Sequence, residues 1–216
     1  MKEPFYLVIE GVIGVGKTTL ARLLQPKLGG SLLLEVFEEN PFLARFYQDR
    51  ERYAFSAQIF FLLSRYQQQR DQVPAQLDAG KDLISDYSFE KDLIFAGINL
   101  KGDELELYHE LFQALAEKIP QPDLIVYLRA STDALLQRIT QRDRSYERGM
   151  AADYIDTLRR GYDQRFLAPE HKPPVLSLRR TTSTSCAIRA NWTRSRAASG
   201  PPWTKGQGRL DRPSRL

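Results

Sequence analysis

The stretch that most constrains this chain is Gly11-Val12-Ile13-Gly14-Val15-Gly16-Lys17-Thr18, close to the start of the sequence. It fits the pattern G-x-x-x-x-G-K-[ST]. It also lies where that pattern has meaning, between an apolar run from Phe5 to Glu10 that reads as a strand and a segment from Thr18 to Leu28 that reads as a helix. Glycines let successive backbone N–H groups converge on phosphate oxygens, and the N-terminal end of the following helix adds positive potential. Residues Gly11 through Thr19 are therefore expected to cradle the phosphates of a nucleoside triphosphate. Lys17 is expected to reach the β- and γ-phosphates, and the Thr18 hydroxyl to ligate Mg²⁺. The motif leaves open whether the acceptor is water or another molecule.

The rest of the pattern alternates strands with helices. Leu20, Leu23, Leu24 and Leu28 share one face of the first helix, which Gly29 and Gly30 end. Leu32 to Phe37 reads as a second strand, and Asn40-Pro41 opens a helical region. A long helix is expected from Tyr53 to about Arg70, with Phe55, Ile59, Leu62, Leu63 and Tyr66 as its apolar stripe and Pro74 kinking or ending it. Asp82 to Ser85 and Asp123 to Leu128 read as strands. Between them Asp103 and Glu106 resemble a capping box for a helix carrying Leu105, Tyr108, Leu111, Phe112, Leu115 and Ile119. Ser131-Thr132 starts a helix to about Gln141. Ala151 to Ala168 is another, packed through Ile155, Leu158, Tyr162 and Phe166, and Pro174 to Leu178 is a fifth strand. Such alternation implies a parallel sheet covered on both faces, in a three-layer α/β arrangement of about five strands.

Composition narrows the setting. No apolar run approaches a membrane span, and the N-terminus enters a strand pattern with no secretory leader. The single cysteine, Cys186, has no internal partner, which fits a reducing cytoplasm. The formal net charge is +4, yet the first 178 residues carry 22 basic and 26 acidic groups and so a net of −4. The excess positive charge lies in the tail, not on the folded part, which argues against nucleic acid as a partner.

From Glu35 onward the sequence resembles the deoxynucleoside kinase family, over roughly residues 5 to 178. LLLEVF places Glu35 where the family has the general base for the nucleoside 5′-hydroxyl. FYQDRERYAFSAQIFFLLSR is similar to its nucleoside-binding helix. The resemblance implies that Tyr47 touches the sugar 3′-hydroxyl, that Gln58 hydrogen-bonds the base edge, and that Arg65 lies on nearly the same helix face. DYSFEKDLIF resembles the segment after the third strand. It implies that Asp86 serves the metal, that Asp92 pairs with Arg65 and reads the base, and that Phe95 stacks on the base or packs in the core. The family usually has arginine where this chain has Tyr87. That arginine contacts the general base and the 5′-oxygen, and the lid arginines are expected to compensate for it. LLQRITQRDRSYE resembles the arginine-rich lid, so Arg138, Arg142 and Arg144 are expected at the transferring phosphoryl group and Glu147 at the 3′-hydroxyl.

The resemblance implies a P-loop kinase fold. The implied reaction is phosphoryl transfer from ATP, with Mg²⁺, to the 5′-hydroxyl of a small-molecule deoxynucleoside by a homodimer. The Gln58, Arg65 and Asp92 set favours deoxyadenosine, deoxycytidine or deoxyguanosine, because an ionised aspartate needs a donor such as an exocyclic amine. Removing Asp92 alone is expected to cost more than removing Arg65 with it, by stranding a buried charge. The alternatives are a thymidylate-type nucleotide kinase and a nonenzymatic homologue. Residues 179–216 hold both tryptophans, the only cysteine and eight arginines without apolar periodicity. They read as a basic tail without fixed structure, and such a composition fits a shifted reading frame as well as it fits a native extension.

Overall fold

Strand β1 (Tyr6–Glu10) is buried along its whole length, and the other strands are arranged around it. In the computed structural model, which describes residues 3–180, the chain continues through α1 (Lys17–Leu28), β2 (Ser31–Leu33), α2 (Leu43–Gln48) and α3 (Arg50–Asp78). It then forms β3 (Leu83–Ser85), α4 (Lys91–Asn99), α5 (Gly102–Ala116) and β4 (Leu124–Arg129). The last described elements are α6 (Thr132–Arg142), a single 3-10 turn (Ser145–Glu147), α7 (Ala152–Phe166) and β5 (Val175–Arg179). The strands form one five-stranded sheet in the order β2-β3-β1-β4-β5, and every pairing is parallel. All-parallel pairing obliges each connection to cross a face of the sheet, which places helices on both faces. The expected tail, and the shifted frame inferred for it, lie outside the described residues beyond Arg180.

Side chains at the sheet margins set its register. Asp123 accepts from the Tyr6 N–H at 2.7 Å and Asp82 from the Phe5 N–H at 2.9 Å, so two carboxylates satisfy donors where β1 begins. On the far side the core is aromatic. Tyr127 of β4 stacks on Tyr162 of α7 with centroids 6.2 Å apart, and Phe166 packs against both rings. Ile155, Leu158, Tyr162 and Phe166 are all buried, as the α7 periodicity implies.

Four expectations need correction. The second strand stops at Leu33, short of Phe37, because side chains take over the backbone groups that follow: Gln68 donates to the Leu34 carbonyl at 2.9 Å, and Asp86 accepts from the Glu35 N–H at 2.8 Å. Helix α3 does not end near Arg70 but runs 29 residues through Pro74. Proline in a helix interior costs about 3 kcal/mol. Here Val73 is fully buried, and Ser31 of β2 donates to Gln76 at 2.7 Å, so tertiary contacts anchor the last turns. Asp103 and Glu106 form no capping box, because α5 starts two residues earlier than such a box requires. Lys101 is its N-cap, without a side-chain bond, and Asp103 and Glu104 sit in the first turn, where they favour the helix dipole.

The fourth correction concerns α3 itself. Its fully buried face is Ala54, Ala57, Gln58, Leu62, Arg65, Gln69 and Val73, at helical spacing but rich in polar groups. Of the stripe read as apolar, Leu62 is buried, whereas Leu63 is 50% exposed. A helix that turns polar side chains inward must satisfy them there, and those partners belong to the site.

Candidate active site

The carboxyl ends of β1, β2 and β3 lie side by side, and the side chains that follow them converge. After β1 the loop of residues 11–16 runs into α1. Gly11 has φ 145°, and a Cβ there would lie 2.4 Å from the Leu128 carbonyl oxygen of β4. Gly14 has φ 82° and faces α6, where a Cβ would lie 2.9 Å from Ile139. Only glycine allows the loop to lie this close to both neighbours. Lys17 opens α1 and donates back to the Gly11 carbonyl at 2.7 Å, while Thr18 and Thr19 stand exposed on the first turn. Burial, together with the Lys91 ammonium, pushes the Lys17 pKa down to about 8.

Asp86, just past β3, joins the two halves of the site. One of its oxygens accepts from the Thr18 hydroxyl in a very short hydrogen bond, and the other accepts from the Glu35 N–H at 2.8 Å. Thr18 and Asp86 thus present two hard oxygen donors beside the loop, a set that suits Mg²⁺ held jointly by phosphate oxygens and water. Among the described residues no cluster of three or more His, Cys, Asp or Glu is placed to hold a metal.

Glu35 is clamped between cations. Its Oε1 accepts from Arg65 Nε at 2.9 Å and Nη2 at 2.6 Å, and Lys91 Nζ donates to Oε1 at 2.9 Å and Oε2 at 2.7 Å. Burial by itself raises a carboxyl, but the Lys91 and Arg65 charges outweigh it and hold Glu35 well below the usual carboxylate range. The same Arg65 extends Nη1 to Asp92 in a very short bond. Burial pushes the Asp92 pKa up to about 6 despite Arg65 and Lys91. Glu35, Arg65 and Asp92 therefore form a buried chain of charges. Losing Asp92 leaves Arg65 still paired to Glu35, whereas losing both residues takes the guanidinium from Glu35 as well.

Asp92 Oδ2 and Gln58 Oε1 are buried outside hydrogen-bond geometry with any side chain, and the Tyr108 hydroxyl lies close enough to Asp92 for the carboxylate to raise its pKa. Buried acceptors without partners are costly, which makes these two, on the neighbouring helices α3 and α4, candidates for contact with a ligand. Phe95 is half-buried and meets Tyr162 edge-on at 6.4 Å. Tyr47 on α2 is half-buried, and burial pushes its hydroxyl well up; its ring stacks on Tyr146 at 6.2 Å.

Tyr146 belongs to the segment after α6, which folds over α2. Glu147 is buried there. It accepts from Arg142 at 2.6 Å and lies 3.7 Å from Arg144, whose guanidinium covers the Phe37 ring at 4.1 Å. Arg142 and Arg144 are thus engaged by Glu147. Arg138, on the helix that packs against Gly14, keeps a buried Nη1 without a partner.

The cations on Glu35 are Arg65 and Lys91, from α3 and α4. Tyr87 is fully buried and donates to Gln68 Oε1 at 2.6 Å; Gln68 in turn holds the Leu34 carbonyl. It braces the segment bearing Glu35 from behind. Two residues escaped the reading of the sequence. Lys91 is the only base in DYSFEKDLIF, directly before Asp92. Glu10 is an acid ending an otherwise apolar strand. Glu10 is fully buried, accepts from the Ser88 N–H at 2.6 Å and the Gly11 N–H at 2.9 Å, and has its pKa raised by burial. In each case the signal was a charge inside a segment that had to be buried.

Comparison with known proteins agrees with this arrangement. The sequence model described as deoxynucleoside kinase matches residues 7–188. The chain is 35% identical over 173 residues to a deoxyguanosine kinase of Bacillus subtilis, covering 80% of this chain and 84% of that one. It is 33% identical over 181 residues to a deoxyadenosine/deoxycytidine kinase of the same organism, covering 80% and 81%. The deoxyadenosine kinase of M. mycoides, solved with dATP bound, superposes with a TM-score of 0.74 at 25% identity over 88% of this chain and all of that one. With a parallel sheet behind a phosphate loop, a buried charge chain on α3 and α4, and sequence similarity over most of its length, the chain belongs to the deoxynucleoside kinase family.

Proposed function

We propose that this kinase moves the γ-phosphoryl group of ATP to the 5′-hydroxyl of deoxyadenosine, deoxycytidine or deoxyguanosine, with Glu35 as general base. The observation that carries this reading is the chain Glu35–Arg65–Asp92, with Glu35 one hydrogen bond from Asp86 and Asp86 one from Thr18. In this reading it links a base-reading end to a phosphate-holding end.

In this reading residues 11–19 hold the triphosphate, and Lys17 leaves the Gly11 carbonyl to reach its β- and γ-oxygens. Thr18 and Asp86 would hold Mg²⁺, which would supply charge neutralisation at the phosphates. The nucleoside lies along α3 with its base donating to Asp92 and Gln58, Phe95 against the base, and Tyr47 and Glu147 near the 3′-hydroxyl. The 5′-oxygen then bonds to the γ-phosphorus as its proton passes to Glu35. The bond to the β–γ bridging oxygen breaks, and its electron pair stays on ADP. Arg138, with its unpaired Nη1, is the lid arginine best placed to meet the transferring group. Arg142 and Arg144 join it when a 3′-hydroxyl competes for Glu147. Chemistry of this kind is positioning and charge stabilisation more than covalent work by the protein.

Transfer from labelled ATP to the four deoxynucleosides and to dTMP tests this directly. The expected order places an amino-bearing or purine base first. Thymidine or dTMP as the best acceptor by kcat/KM would refute it.

The setting is inferred to be the cytoplasm. None of the described helices is long and apolar enough to cross a membrane. A homodimer is inferred from Leu63 on α3 with Leu107 and Leu111 on α5, which expose 50%, 46% and 37% of their surface on two helices that pack together. Residues 1–178 are inferred to be the kinase domain. Among the described residues β5 pairs with β4 alone, and a shifted frame beyond it is inferred from the composition of residues 179–216. The family match reaches residue 188, so translation of the other two frames from codon 178 through codon 188 and onward is the test. An acidic, leucine-patterned continuation would support the shift, and early stops in both frames would end it.

A further inference from the structure

We propose that Lys91 is a catalytic residue whose ammonium bridges Glu35 and the phosphoryl group in transit, supplying from the first turn of α4 the positive charge that relatives supply by arginine at the position of Tyr87. The proposal rests on the kinase reading above and on Glu35 as the base.

Position comes first. Lys91 opens α4 and is 5% exposed, so its charge is held inside the site. Its two described hydrogen bonds both go to Glu35, at 2.9 and 2.7 Å. An ammonium has three donors, and one is left over. The Glu35 N–H donates to Asp86, and Asp86 accepts from the Thr18 hydroxyl, so Glu35, the residue that Lys91 holds, is joined to the phosphate loop by two hydrogen bonds. Arg65, the other cation on Glu35, is committed to Asp92 at the nucleoside end.

Chemistry comes second. Tyr87 carries no charge, and its hydroxyl is taken up by Gln68. Arg65 also donates to Glu35, from the nucleoside side, so Lys91 is the second cation on the base and the one not tied to Asp92. A lysine suits the task because its charge is compact and its stem flexible, so it can follow the group from donor to acceptor while staying near Glu35. Its ammonium also lies over the Phe95 ring, 5.7 Å from the centroid. Throughout transfer Lys91 keeps its protons; the only proton that moves is that of the 5′-hydroxyl, to Glu35.

The test compares wild type, K91M, K91R and the double variant Y87R/K91M in steady-state kinetics, with nucleoside dissociation constants measured separately without donor. K91M is expected to lower kcat by about a hundredfold, the effect of deleting one donor to a developing oxyanion, while the nucleoside dissociation constant changes by less than about threefold. K91R should keep a larger kcat than K91M, and Y87R/K91M should recover at least about tenfold over K91M by restoring a cation from the other position. A purely structural lysine would lower the melting temperature without this kcat-specific loss and without rescue by arginine at 87. If K91M does not fold, K91Q, which keeps an amide donor for Glu35, is read by the same criteria. A kcat within about threefold of wild type, or a loss that Y87R fails to relieve, overturns the proposal. Wild-type protein that phosphorylates no deoxynucleoside overturns the kinase reading itself, and an active wild type with undiminished K91M overturns only the role of Lys91.

Discussion

Asp92 offers a quantitative test, because its burial and its pairing push in opposite directions. It is fully buried and shares Arg65 with Glu35, and its pKa in the folded protein stands at about 6 against 3.8 for a free side chain. A rise of that size corresponds to about 3 kcal/mol at neutral pH. The sign follows from proton counting. A carboxyl raised on folding binds more protons in the native state, so its stabilising contribution is complete below the unfolded value and is lost as pH rises through about 6. Integrated between pH 7 and pH 5, this one group should stabilise the protein by about 1.3 kcal/mol on acidification. The D92N variant removes that slope.

At pH 7, D92N also loses a charge-assisted bond worth about 1.5–3 kcal/mol, but it sheds a burial cost of similar size. Its stability should therefore stay within about 1–2 kcal/mol of wild type. R65M is different. It leaves Glu35 and Asp92 buried without the guanidinium, and breaking a buried pair from one side costs about 3–5 kcal/mol. Urea denaturation of the three proteins at pH 5, 6 and 7 measures each of these effects. A wild-type midpoint that does not rise relative to D92N on going to pH 5 would refute the assignment of Asp92. A D92N loss as large as that of R65M would refute the claim that Glu35 retains Arg65.

Three further outcomes follow from the same geometry. E35Q removes the proton acceptor while keeping shape, so kcat should fall by about a hundredfold or more with nucleoside binding nearly kept; near-normal turnover would exclude Glu35 as the base. K17A should lose nearly all transfer, read with saturating ATP, while circular dichroism stays that of wild type, since Lys17 contacts only the Gly11 carbonyl among the described hydrogen bonds. The double variant L63E/L107E should shift the molecular mass in light scattering from dimer to monomer; an unchanged mass would remove the α3–α5 face from the dimer assignment.

The features legible in the sequence are those encoded by neighbours along the chain. The glycine loop, the helix that follows it and the strand before it occupy contiguous residues, and sterics alone make that order of conformations the accessible one. The α7 stripe and the Ser131 cap, whose hydroxyl accepts from the Ala134 N–H at 3.3 Å, were readable for the same reason: both are rules spanning three or four residues. The parallel sheet followed from alternation, because a parallel crossover needs a helix.

Other features were decided only when distant segments met. Leu34 and Glu35 left the strand because Gln68 and Asp86, from α3 and the end of β3, claimed their backbone groups. The inward face of α3 is polar because Asp92 and Glu35 stand opposite it, so hydrophobic periodicity pointed to the wrong side. Pro74 was tolerated because Val73 found the core and Gln76 found Ser31. Lys91 was assigned no role from sequence alone, and α4 places it against an acid 56 residues away. Local sequence biases backbone angles by a few tenths to about one kcal/mol per residue. A buried charge without its partner costs several kcal/mol, so where ionic groups converge the tertiary pairing outweighs local preference.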